Sequence, residues 1–243
     1  MPAANHLPTS SPTSSPRSRS ARRRSVGLLA LAMVAALVLG ACQPERPSVG
    51  RGTPVRRVLI VGDSMTWGLF GTTPRVHERI VPVLADRGID THIVGSAGGT
   101  ILEPWPGSKR WVDEVAPEIT SWNPDVVIVQ STLFPAATDP ARQQAYIAAA
   151  RELFRVAGSR GAHVYVVGHN DPPAAKERNE RDIAQYIQAL VAGPGVSRIP
   201  VDWWLARCTA PYSPDGWHLS ASGQECHSMA ISVAIDQLRA QNG

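Results

Sequence analysis

The chain has 243 residues, which is enough for one α/β domain with a sizeable hydrophobic core. Its net charge of +4 comes from the first 41 residues, which contain five arginines and no acidic residue; the rest of the chain has 19 basic and 20 acidic side chains, a net charge of −1. A mature protein so close to neutrality gives no reason to expect binding to nucleic acid or to an anionic membrane surface.

The amino terminus has the pattern of an export signal. Residues 1–20 are rich in Ser, Pro and Thr and lack apolar periodicity, so we expect them to be disordered. The basic run Arg22–Arg24 then precedes an apolar run from Val26 to Leu39. This apolar run is shorter than the roughly 20 residues that a membrane-spanning helix needs, which favours a cleaved secretory signal.

The end of this run, Leu39-Gly40-Ala41-Cys42, resembles the bacterial lipobox. The resemblance implies that Cys42 is lipidated and that cleavage occurs directly before it; an ordinary cleaved signal with a chance cysteine is the alternative. We therefore expect residues 1–41 to be a lipoprotein signal peptide, residues 42–56 a flexible tether and residues 57–243 the folded domain. The protein would then be extracytoplasmic and anchored to the cell membrane through Cys42 alone.

Strand and helix patterns alternate along the rest of the chain. The strand candidates are short apolar runs: Val58–Val61, Thr91–Val94, Asp125–Gln130, His163–Val167 and Ile199–Asp202. The helix candidates are Pro74–Arg87, Trp111–Trp122 with a kink or break at Pro117, Pro140–Ala157 after the cap Asp139, residues 170–191, and a helix opened by the Ser-x-x-Glu capping box Ser222–Glu225 and ending near Ala240. Such alternation predicts a parallel sheet with helices on both faces.

The first strand candidate is followed by a serine, Ser64, within Gly62-Asp63-Ser64. Ligands of α/β folds bind at the carboxyl edge of the sheet, and this serine is predicted to lie there. A serine hydroxyl is a weak nucleophile until a base takes its proton. His218, before the last helix, offers that base, and Asp215 three residues earlier could orient its imidazole. Loops that follow parallel strands leave the same edge, so these residues can meet.

Each motif also has a simpler structural interpretation. Asp63 and Ser64 could cap the start of a helix, and Asp215 and His218 could belong to a turn before one. The pair Gly98-Gly99 after the second strand could be no more than a turn, although glycines there would let backbone N–H groups approach an oxyanion. The three motifs together, in this order and at predicted strand ends, favour a hydrolytic site with Ser64 as its nucleophile.

The combined pattern resembles the SGNH, or GDSL-type, hydrolase superfamily. The resemblance extends over nearly all of residues 57–240 and rests on Gly62-Asp63-Ser64-Met65-Thr66-Trp67-Gly68, on Asp215-Gly216-Trp217-His218-Leu219-Ser220 and on Gly223. It implies a flavodoxin-like three-layer sandwich with a five-stranded parallel sheet. It also implies ester hydrolysis with Ser64 as nucleophile, His218 as base and Asp215 as its partner, and oxyanion donors at the N–H of Ser64 and at Gly99 or Gly98.

The loop after the third strand departs from that family. The family usually has Gly-x-Asn-Asp there, with an Asn that donates to the oxyanion, whereas this chain has Leu133 in that place within Gln130-Ser131-Thr132-Leu133-Phe134. Gln130 is one possible substitute donor. Asn170, in Gly168-His169-Asn170-Asp171, is the other, although that sequence also suits a helix cap. A degenerate third motif further resembles SGNH domains that transfer acyl groups to cell-surface polysaccharides.

Cys208 and Cys226 bracket the predicted base and its partner. In an oxidising compartment this pair suggests a disulfide that holds the loop of His218, worth about 3 kcal/mol in the chain-entropy model; two buried free thiols are the alternative. Trp67 and Trp217 adjoin the catalytic motifs and are expected to line the site. The histidines outside these motifs are expected to be structural or to lie at the surface.

These patterns lead to one expected function and two alternatives. We expect an extracytoplasmic serine esterase that hydrolyses an ester, an O-acyl group on a cell-envelope glycan, through an acyl-serine intermediate. An O-acyltransferase of the same fold and a non-catalytic envelope-binding lipoprotein are the alternatives. We expect a monomer that needs no cofactor and no metal ion, since the sequence has no nucleotide-binding or metal-binding motif.

Overall fold

The fold is built on five strands, all within the part of the chain that the computed structural model describes. That part comprises residues 54–67, 76–95, 100–104, 106–130, 140–167, 173 and 195–242. The strands are β1 (Arg57–Gly62), β2 (Asp90–Val94), β3 (Val126–Gln130), β4 (His163–Val167) and β5 (Val196–Ile199). They pair in parallel in the order β2-β1-β3-β4-β5, which confirms the predicted flavodoxin-like sheet.

The sheet places the end of β1 at its topological switch point. β1 pairs with β2 on one side and with β3 on the other, so that Ile60 lies opposite both Ile93 and Ile128. Residues 58–62 and all of β3 are buried, which explains their near-continuous apolar sequence. The strand order reverses at β1, and ligands bind outside the carboxyl ends of the strands at such a point. Ser64 follows β1 by two residues and therefore lies at this place.

Helices cover both faces of the sheet. Those in the described part of the chain are α1 (Ser64–Trp67), α2 (Val76–Ala85), α3 (Trp111–Ser121), α4 (Pro140–Ala157), α5 (Val201–Leu205) and α6 (Ala221–Asn242). Val58 and Ile60 belong to the hydrophobic core under α2, α5 and α6, whereas Leu59 and Val61 belong to the core under α3 and α4. The alternation along β1 thus divides the apolar side chains between two cores and produces a three-layer sandwich.

The predicted limits of the fifth strand and the predicted start of the last helix differ from the structure. The fifth strand is Val196–Ile199 and not Ile199–Asp202, because Pro200 has no N–H for the sheet and α5 begins directly after it. The last helix begins at Ala221, so its cap is Ser220 and not Ser222. The hydroxyl of Ser220 accepts the N–H of Gly223 at 3.1 Å, whereas the hydroxyl of Ser222 donates to the carbonyl oxygen of Thr209.

Pro117 does not break the helix predicted over Trp111–Trp122. α3 runs without interruption from Trp111 to Ser121, although Pro117 lacks the N–H that would bond one turn back. Trp111, Val115 and Ile119 recur every four residues along its buried face. Their burial against the sheet compensates for the missing hydrogen bond.

Several predictions fall on residues outside the described part of the chain. They are the signal peptide, Cys42 and most of the tether, the glycines Gly98 and Gly99, Leu133, and the helix predicted from Asn170, apart from residue 173. Within the described ranges, no helix combines the length and the apolar character needed to cross a bilayer.

Candidate active site

A tight turn between β1 and α1 presents Ser64. Asp63 is fully buried; its Oδ1 accepts the N–H of Met65 at 2.9 Å, and its backbone oxygen accepts the N–H of Thr66 at 3.0 Å. Asp63 therefore caps the turn, as the simpler interpretation of the motif predicted. A Cβ at Gly62 would overlap the side chain of Thr66, so the turn can be this tight only with glycine at that position.

The hydroxyl of Ser64 contacts His218, which lies 154 residues later in the chain. Ser64 Oγ is 3.0 Å from His218 Nε2, and His218 Nδ1 is 2.7 Å from Asp215 Oδ2. We assign the Nδ1–H tautomer of His218, because Nδ1 then donates to the carboxylate while Nε2 accepts from the hydroxyl. The three side chains thus form the contact chain needed to withdraw a proton from Ser64.

Asp215 is held by its own turn as well as by His218. Its Oδ1 accepts the backbone N–H groups of Trp217 at 2.9 Å and of His218 at 3.0 Å, while Oδ2 faces the imidazole. Partial burial acts to raise the pKa of Asp215, but the hydrogen bonds from His218 and from the two N–H groups prevail and lower the pKa below its ordinary value. Asp215 therefore stays ionised and keeps the orientation that fixes the His218 ring.

Asp215 and His218 lie on one hairpin, residues 206–220, which we call the His218 hairpin. Its two limbs pair at an antiparallel bridge between Tyr212 and Leu219, and Ser213 N–H donates to the carbonyl oxygen of His218 at 2.7 Å. Within its first limb, Cys208 forms a disulfide with Cys226 of α6, which confirms the predicted disulfide. His218 is therefore carried by a cross-linked hairpin and not by an unsupported loop.

The candidate oxyanion donors are located in part. Ser64 is the first residue of α1, so its N–H is among the first-turn groups that have no acceptor within a helix. Gln130 ends β3 opposite Gly62; it is 2% exposed, and its Oε1 has no hydrogen-bond partner among the described residues. Gly98, Gly99 and Asn170 lie outside those residues, so the donor roles of all five stay predictions.

The predicted substrate-lining residues are also located in part. Trp217 is partly buried beside His218, and its backbone N–H supports Asp215. The side chain of Trp67 lies outside the described part of the chain. Contact of either ring with substrate stays a prediction.

Two serines that support the site were missed by the sequence analysis. Ser213 Oγ donates to the carbonyl oxygen of Leu219 at 3.1 Å, and Ser220 caps α6 two residues after His218. A signal existed for Ser220, since serine directly before a helix is a favoured cap. The sequence around Ser213 has no comparable signal. Within the described residues, no group of three or more His, Cys, Asp or Glu side chains is placed to hold a metal ion.

Comparison with known proteins supports the fold. No family model and no curated protein matches the chain. A family 3 carbohydrate esterase from Clostridium thermocellum matches with a TM-score of 0.55 and 21% identity, over 77% of this chain and 99% of that one. A Slackia heliotrinireducens protein described as an SGNH hydrolase matches with a TM-score of 0.58 and 18% identity, over 74% of this chain and 98% of that one.

A third match is the psychrotrophic esterase EstA from Pseudoalteromonas sp., in a structure inhibited by monoethylphosphonate. Its TM-score is 0.55 at 11% identity, over 75% of this chain and 97% of that one. At identities this low, the structural matches show a shared architecture and carry no information about chemistry. The chain thus has the α/β fold of SGNH hydrolase structures, with a five-stranded parallel sheet.

Proposed function

We propose that the chain is a serine esterase that cleaves an ester through an acyl-serine intermediate on Ser64. The observation that carries this proposal is the contact chain from Ser64 Oγ to His218 Nε2 at 3.0 Å and from His218 Nδ1 to Asp215 Oδ2 at 2.7 Å. It lies at the switch point of the sheet, where this architecture binds ligands. A serine hydroxyl, a base and a carboxylate in this order are the groups that acyl transfer requires.

In the acylation half, His218 Nε2 takes the hydroxyl proton while Ser64 Oγ attacks the carbonyl carbon of the ester. The imidazolium that forms is stabilised by the Asp215 carboxylate, which stays ionised because its pKa is lowered. His218 then gives the proton to the alcohol oxygen as the ester bond breaks. The alcohol leaves, and the acyl group remains on Ser64.

In the deacylation half, a water molecule takes the place of the alcohol. His218 accepts a proton from this water as its oxygen attacks the acyl carbon, and then returns the proton to Ser64 Oγ as the carboxylic acid leaves. The N–H of Ser64, Gly99 or Gly98, and either Gln130 or Asn170 are the proposed donors to the oxyanion. Each such donor is worth roughly 10²–10³ in rate.

For the substrate, we propose an O-acyl group on a cell-envelope glycan. The lipobox-like sequence ending at Cys42 supports an envelope location, with the domain held to the cell membrane by a lipid on this cysteine and a tether over residues 42–56. A family 3 carbohydrate esterase shares this fold, and the proposal extends that likeness from architecture to a glycan substrate. No nucleic acid, cofactor or second protein chain takes part in the proposed reaction.

Acyl transfer to a surface polysaccharide is the second candidate. It is favoured by Leu133, which replaces the oxyanion-donating Asn of the SGNH pattern, as in domains associated with such transfer. Transfer and hydrolysis share the acyl-Ser64 intermediate and differ in whether a sugar hydroxyl or water accepts the acyl group. A non-catalytic binding role is disfavoured, because binding alone does not require Ser64, His218 and Asp215 to be in mutual contact.

The test is hydrolysis of p-nitrophenyl acetate by the full-length protein and by its Ser64→Ala variant. We expect release of p-nitrophenol by the wild type and its loss in the variant. Ser159→Ala, which removes an exposed serine hydroxyl after α4, is the matched control and should keep full activity. Equal activity in the wild type and in Ser64→Ala would refute the proposal, whereas an acylated glycan formed only with an added acceptor would identify a transferase.

A further inference from the structure

Ser220 joins three segments at the point where the His218 hairpin meets α6. Its hydroxyl accepts the N–H of Gly223 at 3.1 Å and donates to the carbonyl oxygen of Ala210 at 2.6 Å. Its own N–H donates to the carbonyl oxygen of Pro211 at 2.9 Å. One residue therefore links the outgoing limb of the hairpin, the returning limb that carries His218, and the first turn of α6.

The outgoing limb lies very close to α6. A Cβ at Gly223 would overlap the carbonyl oxygen of Pro211, so this approach requires glycine. The Cys208–Cys226 disulfide closes the same limb onto α6 further along the helix. The limb is thus fixed to α6 by one covalent bond, by the contacts around Ser220 and by the hydrogen bond from Ser222 Oγ to the carbonyl oxygen of Thr209.

α6 is held in place by its packing in the hydrophobic core, and it can therefore fix the position of this limb. Ile231 and Ile235 of α6 are fully buried in the core that also contains Val58 and Ile60 of β1. β1 in turn leads directly into the turn that presents Ser64. The position of His218 relative to Ser64 is therefore set through one continuous path: hairpin, α6, core and β1.

We propose that Ser220 and the Cys208–Cys226 disulfide form a clamp that positions His218 against Ser64, and that proton transfer from Ser64 depends on this clamp. The proposal rests on the proposed function, since it concerns the same base. Ser220 acts through the backbone of His218, two residues away, and is a positioning residue. The 3.0 Å contact between His218 and Ser64 leaves little tolerance, because a displacement of about 1 Å can cost roughly 10²-fold in rate.

The test follows phosphonylation of Ser64 in the full-length protein by a p-nitrophenyl alkylphosphonate. In this step His218 takes the hydroxyl proton, Ser64 Oγ bonds to phosphorus, and p-nitrophenolate leaves. The release of p-nitrophenolate therefore measures the activation of Ser64, and the natural substrate need not be known. Ser220→Ala should lower the maximal rate by about 10- to 10²-fold and leave the half-saturating probe concentration unchanged. Ser220→Thr, which keeps a hydroxyl, should restore most of the rate.

Ser222→Ala is the matched control. It also removes a hydroxyl from the first turn of α6 that bonds to the outgoing limb, at the carbonyl oxygen of Thr209. This hydroxyl does not cap α6, and Ser222 is four residues from His218 along the chain where Ser220 is two, so the variant should react at nearly the wild-type rate. Equal slowing of the two variants would overturn the special role of Ser220, and so would a Ser220→Ala variant as fast as the wild type.

Reduction of the Cys208–Cys226 disulfide is a second test of the same clamp. Treatment with dithiothreitol converts Cys208 and Cys226 to thiols and the reagent to its cyclic disulfide. We expect phosphonylation to slow while circular dichroism shows a retained fold, and to recover on reoxidation. A reduced, folded protein that reacts at the full rate would overturn the disulfide half of the proposal. Wild-type protein that is not labelled at Ser64 would instead refute the proposed function itself.

Discussion

We expect the buried side chain of His227 to make the stability of the protein depend on pH. It lies in α6, is 1% exposed, and neither ring nitrogen has a partner among the described residues. Burial lowers its pKa to about 4, whereas a histidine in an unfolded chain titrates near 6.5. Below about pH 6.5 the unfolded state therefore binds a proton that the folded state does not bind, and the free energy of unfolding falls as the pH falls towards 4.

The size of this effect follows from the pKa difference. A shift of about 2.5 units, at about 1.4 kcal/mol per unit, corresponds to about 3 kcal/mol of stability lost between pH 7 and pH 4. Small domains are stable by only about 5–15 kcal/mol, so the loss is large enough to measure easily. A His227→Leu variant has no titrating group at this position and should not lose this stability as the pH falls.

The assay is urea unfolding, followed by circular dichroism at several pH values between 7 and 4, for wild type and His227→Leu. Two other groups also make stability depend on pH: burial lowers the pKa of His163, and the lowered pKa of Asp215 removes stability as the pH falls through that pKa. Both residues are present in the two proteins, so their effects on the unfolding free energy cancel in the comparison. The gap in unfolding free energy should shift by about 3 kcal/mol in favour of the variant. A gap that does not change with pH would refute this reasoning.

Three further predictions concern the site and the anchor. Asp215→Asn should lower kcat for p-nitrophenyl acetate by about 10⁴-fold, because the amide would donate to His218 Nδ1 and select the wrong tautomer of the imidazole. Asp202→Asn, at an exposed ion pair, is the control. An unchanged kcat in Asp215→Asn would contradict the assignment of Asp215 as the partner of His218. Gln130→Leu should lower kcat by roughly 10²-fold if its amide donates to the oxyanion; a normal rate there with a slowed Asn170→Ala variant would transfer the role to Asn170. Mass spectrometry of membrane fractions should find a diacylglyceryl group on Cys42, and a soluble product that begins at another residue would disprove lipidation.

The sheet and the order of its elements were predictable because parallel strands buried on both faces leave continuous apolar runs. His163–Val167 was predicted with the boundaries that the structure shows. β5 was misplaced for a physical reason. It is an edge strand with Ser197 and Arg198 at its centre, so its own pattern is weak, and the apolar residues that follow Pro200 belong to a helix.

The contact between Ser64 and His218 was predictable because it follows from the topology of the parallel sheet. Ser64 follows the end of β1, and His218 precedes the last helix. Both positions lie at the carboxyl edge of the sheet, which brings the two residues together. The cap at Ser220 was missed because Ser222 and Glu225 form a competing Ser-x-x-Glu pattern. The approach of Pro211 to Gly223 depends on how the hairpin folds back onto α6, and spacing in the sequence holds no information on it.

The most direct test of the central claim is to locate the residue that a p-nitrophenyl alkylphosphonate modifies. Digestion and mass spectrometry should find one phosphonyl group, on the peptide that contains Ser64, in the wild-type protein. The modification should become far slower in His218→Ala, which has no base to take the proton. Modification of another residue, or equally fast modification of Ser64 in the two proteins, would contradict the assignment of Ser64 and His218 as nucleophile and base.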